Sequence, residues 1–412
     1  MGGYIERIAD PVLAELMGGL PAVMVTGARG VGKTTTALRH AASVVRLDDP
    51  EVASAFRASP AVALAGMAEP ILIDEWQEVP AVLGAVKRSV DSDPRPGRFI
   101  LTGSVRANLM APTWPGTGRI VPKAMEPLSQ REIDGRVGGT AFLERLRQAD
   151  AADLGPDGSW DLGDYVDAAL AGGYPSALAT RPGPLRQAWL EGYAEQIATR
   201  DAAALGERRD PDKLRAYLQA AALNTAGIVQ DKTLEQAAGI APATARAYEQ
   251  LLKNLSILSA APAWRSNRLA SLGKAPKRFI ADTALAAAIL GADRADVFQS
   301  GNLMGRLIET FAFQQLRAEL QGRLARSPRL AHVRDTHQRH EVDLVVEYPD
   351  GAIAGIEVKA ASAVGPDSAR HLEWLRDGLG DKFAAGVVLH TGPARFEFSD
   401  RVFAAPIAAI WA

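Results

Sequence analysis

The sequence predicts a multidomain α/β chain: a parallel sheet with a phosphate loop at the N-terminal end, a central helical region, and a second α/β unit at the C-terminal end. Three observations carry this. A glycine-rich loop follows a short apolar run, that run is the first of four apolar segments alternating with amphipathic stretches, and apolar runs of strand length resume after residue 340. At 412 residues and 47% apolar, the chain can bury more than one core.

The first strand is Pro21 to Val25, and Gly27-Ala28-Arg29-Gly30-Val31-Gly32-Lys33-Thr34 follows it as a complete phosphate-binding loop, with Thr35 next in line. The glycines let backbone N–H groups close around phosphates and Lys33 reaches the terminal ones. The Thr34 hydroxyl lies where a helix N-terminus holds Mg²⁺, so ATP and Mg²⁺ are the expected ligands. Val44 to Leu47 reads as the second strand. Glu69-Pro70-Ile71-Leu72-Ile73-Asp74-Glu75 is the third and ends in paired carboxylates, with Asp74 expected on the metal and Glu75 as the base for the attacking water. Phe99 to Leu101, the fourth, runs into Thr102-Gly103-Ser104, so that Thr102 and Ser104 are expected beside the γ-phosphate, with an ordinary strand-ending turn as the alternative.

Composition narrows the rest. The absence of cysteine excludes disulfides, thiolate nucleophiles and Cys-ligated metal sites. Met1 to Asp10 has acids and no apolar core like that of a signal peptide, and no stretch approaches the roughly 20 apolar residues of a membrane span, so the expected address is the cytoplasm, away from membranes. The net charge is −2, but between Lys213 and Arg278 ten Lys or Arg face three acids; this segment is +7 and the remainder −9. A basic module in an acidic protein is the footprint of a nucleic-acid contact, and a solvated basic face is the other reading.

Four segments follow from these patterns: 1–135 for the phosphate-loop sheet, 136–212 for a variable connection and helices resuming near Leu162, 213–278 for the basic module, and 279–412 for the terminal α/β unit. Within the basic module, Lys232 to Ile240 and Ala243 to Leu252 read as two helices around a Gly-containing turn, the spacing of a helix-turn-helix. Thr244, Arg246 and Lys253 on the second helix are the expected nucleic-acid contacts. Ile257, Leu258 and Trp264 to Leu269 are expected to supply a hairpin wing.

The terminal unit orders its acids in a chemically suggestive way. Glu309 lies on a helix with Leu307, Ile308 and Phe311, Glu341-Val342-Asp343 enters a strand, and Glu357-Val358-Lys359 ends the next. A hairpin between the two strands brings Asp343 and Glu357 to one edge, and alternation puts Glu357 and Lys359 on one face with Val358 toward the core. Oxygen ligands from Glu309, Asp343 and Glu357 suit Mg²⁺ or Mn²⁺, and Lys359 can position water or stabilise charge on a phosphate. The motif resembles the PD-(D/E)xK nuclease superfamily, which implies phosphodiester hydrolysis with these four residues as the catalytic set. The bland alternative is a domain of that fold in which the charges merely pair.

Together with Gly118-Arg119 and Gly172-Gly173-Tyr174-Pro175, these blocks resemble the prokaryotic AAA+ ATP-binding proteins fused to a C-terminal domain of unknown function with a winged helix and a restriction-endonuclease-like fold. The resemblance spans nearly the whole chain. Trp76 departs from the pattern, since an aliphatic residue is usual after the Asp-Glu pair, and the change bears on packing. In the family, Arg119 holds the place of an arginine offered to a neighbouring subunit's γ-phosphate, which implies a homo-oligomer; Arg88, Arg106 and Arg200 are rivals.

The resulting expectation is an ATPase that binds DNA and cleaves it in a Mg²⁺-dependent manner. An ATP-switched DNA-binding regulator or scaffold with an inert nuclease-like domain is the alternative. A helix-turn-helix fits the major groove of B-DNA better than the deep, narrow groove of RNA, which favours DNA while leaving RNA open.

Overall fold

The computed structural model describes residues 3–103, 117–148, 154, 160–201, 210–265, 274–335 and 339–412. Its first unit is a five-stranded parallel sheet built from β1 (Ala22–Thr26), β2 (Ser43–Arg46), β3 (Ile71–Asp74), β4 (Phe99–Gly103) and β5 (Val121–Ala124), in the order β2-β3-β4-β1-β5. Alternation along β1 sends Ala22 and Met24 into one core with Ile71 and Phe99, while Val23 and Val25 enter the larger core on the other face. β1, β3 and β4 are buried on both faces, which is why they read as unbroken apolar runs. β5 has no such run and is not legible in the sequence; it is an edge strand, where Pro122 costs no ladder hydrogen bond.

Helices Leu162–Ala171, Pro175–Ala179 and Pro184–Gln196 follow, then Pro211–Leu223, Asp231–Ala237 and Pro242–Asn254. The last two flank a turn in which Gly239 has φ 61°, and they bury Leu234, Ala245, Tyr248, Leu251 and Leu252. A two-stranded antiparallel hairpin comes next, and here the expected pairing is corrected. β6 (Leu258–Ala261) pairs with β7 (Lys277–Ile280), not with a strand at Trp264 to Leu269. The Trp264 N–H instead donates to the His332 carbonyl at 2.7 Å, tying the connection to the terminal sheet, and 266–269 lie outside the described residues.

The terminal sheet has six strands in the order β12-β13-β11-β10-β9-β8: β8 (Arg329–Arg334), β9 (Glu341–Glu347), β10 (Ile353–Lys359), β11 (Phe383–His390), β12 (Phe396–Ser399) and β13 (Val402–Pro406). It is mixed: β9 is antiparallel to its neighbours β8 and β10, β10, β11 and β13 run parallel, and β12 is antiparallel to β13. Helix Gly301–Glu319 supports one face and helix Pro366–Leu379 the other. At the second, a Cβ on Gly355 would sit 2.7 Å from a Leu372 methyl, so glycine lets that helix pack close to β10.

The larger core runs from Val23 and Val25 through Tyr165, Tyr217 and Leu285 to Ile356 and Leu389, so the chain's segments share one apolar interior. Helix Gly301–Glu319 and the turn after it add polar ties to the first unit and to the segment just after it. The Gln130 N–H donates to Gln315 Oε1 at 2.7 Å, the Phe142 N–H to Glu319 Oε1 at 2.7 Å, and the Glu126 N–H to Gln321 Oε1 at 2.9 Å. No helix of the described residues is long and apolar enough to cross a membrane.

Candidate functional site

The phosphate loop joins β1 to helix Lys33–Leu38, and its glycines meet different needs. Gly30 and Gly32 have φ 78° and 99°, in the left-handed region. A Cβ on Gly27 would lie 2.2 Å from the Met125 carbonyl oxygen, so a side chain there cannot coexist with the chain leaving β5. The Lys33 ammonium is buried and donates to the carbonyls of Ala28 at 2.8 Å and Gly27 at 3.1 Å, inside the loop it is expected to serve. Burial lowers its pKa to about 8, with Glu75 and Asp74 opposing that shift. Thr34 is half-buried and Thr35 exposed.

Strand order brings the remaining groups to this loop. β4 lies between β1 and β3, with Gly103 paired to Thr26 on one side and Thr102 to Asp74 on the other. Asp74 Oδ1 accepts the Thr34 hydroxyl at 2.9 Å and the Thr102 hydroxyl in a short contact. The donor set fits Mg²⁺, since a Thr hydroxyl and a carboxylate already share one point at a helix N-terminus. Glu75, at φ 51°, turns the chain sharply after β3, and its Oε2 accepts the Gln77 amide in a short contact. Trp76 is buried, and a Cβ on Gly103 would meet Trp76 Nε1 and Gln77 Oε1, each at 2.6 Å. Gly103 and Trp76 are therefore matched, and together they hold the Glu75–Gln77 turn against β4.

Sequence reasoning missed the supports of the loop. Arg7, fully buried, donates to the Val31 carbonyl at 2.7 Å, the Glu126 carbonyl at 2.7 Å and Glu132 Oε1 at 2.9 Å. The Tyr193 hydroxyl donates to the Arg29 carbonyl at 2.9 Å, and its ring packs on Tyr174 of the Gly172-Gly173-Tyr174-Pro175 block. An isolated Arg near the N-terminus carries no local signal of this role.

The acids of the terminal unit also converge. The Val358 N–H donates to Asp343 Oδ2 at 3.0 Å, linking β10 to β9, and Lys359 Nζ donates to Glu357 Oε2 at 2.8 Å, so Glu357 and Lys359 do share a face. Glu357 is itself buried, with Oε1 lacking a hydrogen-bond partner. Burial and the nearby Asp343 push its carboxyl well above the usual range, with Lys359 opposing. Burial and Asp343 likewise push Glu309 up to about 8 against the pull of Lys277.

Lys277 is the unforeseen member. It comes from β7, in the segment read as nucleic-acid-binding, yet it is only 1% exposed. Its ammonium contacts Asp343 Oδ1 at 2.9 Å and forms a short ion pair with Glu309. Burial works against its charge, but Asp343 and Glu309 outweigh this and hold its pKa above the ordinary lysine value. Among the described residues, no three His, Cys, Asp or Glu are arranged to hold a metal ion.

Residues 20–134 match the model of an AAA domain, 162–296 that of a domain of unknown function (DUF8612), and 304–410 that of a second domain of unknown function (DUF4143). The first unit is an AAA-type P-loop ATPase domain. Uncharacterized proteins of Mycobacterium tuberculosis and Mycobacterium bovis are each 28% identical to the chain over 405 residues, which is 97% of this chain and 83% of theirs. A Walker-type ATPase of Pyrococcus abyssi is similar at a TM-score of 0.44 and 15% identity, over 69% of this chain and 96% of its own.

Outside the AAA domain, helix Pro242–Asn254 and the hairpin line a groove of about 860 Å³ with Lys232, Arg246, Lys253 and Lys274. Arg246 is exposed and Thr244 half-buried. Much of the segment's +7 charge is spent elsewhere. Lys277 points into the acidic centre, buried Arg278 pairs with Asp231 and Glu249, and Lys253 reaches Glu249 at 2.7 Å. In the AAA domain, Arg119 sits on an exposed turn and pairs with Asp91 at 2.8 Å, and Arg88 is exposed; Arg200, beyond that domain, is exposed too. Ser104 and Arg106 lie outside the described residues.

Proposed function

We propose that the protein is an ATP hydrolase whose nucleotide state governs a DNA-binding winged-helix module, with the restriction-endonuclease-like terminal sheet serving as scaffold. The ATPase half is carried by one observation: strand order brings Lys33, Thr34, Asp74, Glu75 and Thr102 to one sheet edge around the phosphate loop. Lys33 holds the terminal phosphates. Thr34 and Asp74 would hold Mg²⁺, which would supply neutralisation of the charge building on those phosphates. Glu75, braced by Gln77, takes the proton of the attacking water, and Thr102 holds Asp74 in place. In this reading the chain works as a homo-oligomer, with an exposed arginine of a neighbouring copy at the γ-phosphate.

Support for the DNA half is the cationic groove, whose helix Pro242–Asn254 follows the turn at Gly239 and precedes the hairpin. Support for the scaffold role is Lys277, which ties the hairpin to the terminal sheet through its ion pairs. Fluorescence anisotropy with a labelled duplex tests the binding half. Affinity should fall steeply with salt, and Arg246→Glu with Lys253→Glu should abolish it; unchanged affinity in that variant removes DNA from the reading. Plasmid and single-stranded DNA incubated with Mg²⁺ or Mn²⁺ test the scaffold role. Cleavage by the wild type that Glu357→Ala removes would restore the nuclease.

A further inference from the structure

The acidic centre was expected to gather Glu309, Asp343 and Glu357 around a divalent cation, and the residues present do not fit one. Mg²⁺ takes oxygen ligands at about 2.1 Å. An ion at that distance from both Asp343 Oδ1 and Glu309 Oε1 would overlap the Lys277 ammonium, which already contacts both atoms. The other Asp343 oxygen, Oδ2, accepts the Val358 N–H, which fixes the carboxylate with Oδ1 toward the ammonium. The ammonium also lies 3.5 Å from the Asp343 carbonyl and 4.0 Å from Glu341 Oε1, so it is ringed by oxygens as a bound cation would be.

Lys277 is not free to swing away. Its neighbour Arg278 is pinned by Asp231, Glu249 and the Val229 carbonyl, and the Arg278 N–H donates to the Gly227 carbonyl at 3.1 Å. β7 therefore delivers the ammonium from a strand anchored on both sides. A second observation is a carboxyl oxygen of the centre that no group of the chain satisfies. Glu357, 2% exposed, leaves Oε1 unpartnered beside Asp343.

We infer that Lys277 is a tethered cation that takes the metal's place, so that the hairpin module and a divalent ion compete for one carboxylate site made by Glu309, Asp343 and Glu357. While the hairpin is docked the centre binds no metal; with the ammonium removed it becomes a Mn²⁺ or Mg²⁺ site. This goes beyond the ATP-switched reading and stands or falls without nucleotide or DNA.

Mn²⁺ is the probe, and nucleotide-free full-length protein is titrated by electron paramagnetic resonance. Wild type should show no Mn²⁺ binding that Asp343→Asn removes. Lys277→Met should gain one equivalent per chain, and adding Glu357→Gln should lose it. If Lys277→Met proves unstable because its carboxylates repel, Mn²⁺ should raise its melting temperature where equal ionic strength of K⁺ does not. The inference is overturned if wild type binds Mn²⁺ through Asp343, or if Lys277→Met neither gains an equivalent nor is stabilised by Mn²⁺.

Discussion

The Asp282 carboxylate accepts the Gly173 N–H at 2.7 Å through one oxygen and the Leu285 N–H at 2.9 Å through the other, joining the block behind the phosphate loop to the first turn of helix Thr283–Leu290. Gln314, on the helix that also carries Glu309, donates to the same carboxylate at 3.3 Å. A chain of contacts therefore runs from Arg29 through Tyr193, Tyr174 and Asp282 to helix Gly301–Glu319. It is fully buried at Asp282.

Asp282→Ala should accordingly destabilise the protein by about 3 kcal/mol, the sum of a lost N-cap and a buried N–H left without an acceptor. Asp282→Asn, which keeps one carbonyl oxygen, should cost less. Urea denaturation of the three proteins measures this, and equal losses in both variants would show that charge, not acceptor geometry, is what Asp282 supplies.

Lys33→Ala and Glu75→Gln should fail at different steps. The first removes the ammonium that contacts phosphate, so ATP binding itself should be lost. The second keeps a hydrogen-bonding group that cannot take a proton, so binding should persist while turnover falls on the order of a hundredfold or more. Isothermal titration and phosphate release separate the two, and normal steady-state turnover in Glu75→Gln would take Glu75 out of the reaction.

Acid should loosen the junction between the hairpin and the terminal sheet through His332. Burial, with Lys277 and Arg334 adding to it, lowers its pKa to about 4, while its hydrogen bond to the Ala275 carbonyl opposes the shift. Because the unfolded chain binds this proton at its ordinary 6.5, stability is fully present above that value and is lost as pH falls toward 4. The loss amounts to about 3 kcal/mol. His332→Gln should remove this part of the slope between pH 6.5 and 4 in thermal melts; a slope unchanged by the substitution would assign the acid sensitivity to other groups.

Much of the AAA domain was legible because its signals are contiguous. A phosphate loop is one run of eight residues, and the inner parallel strands β1, β3 and β4, buried on both faces, show as unbroken apolar segments. The Asp74-Glu75 pair could be read for the same reason. The acids of the terminal unit could be read as a group because Asp343 and Glu357 sit on neighbouring antiparallel strands, where pairing follows from the short connection between them.

What the sequence by itself determined is local: strand and helix identity, the glycine loop, and which side chains carry charge. Only the tertiary structure decided where that charge goes. Lys277 and Arg278 counted toward a basic surface in the sequence, yet burial beside unpaired carboxylates turns both inward, since an isolated charge costs too much away from water and a paired one costs far less. Arg7, Tyr193 and Asp282 became supports of the nucleotide loop for a related reason. Hydrogen bonds between residues more than a hundred positions apart depend on how the segments pack against one core, and no spacing along the chain encodes that meeting.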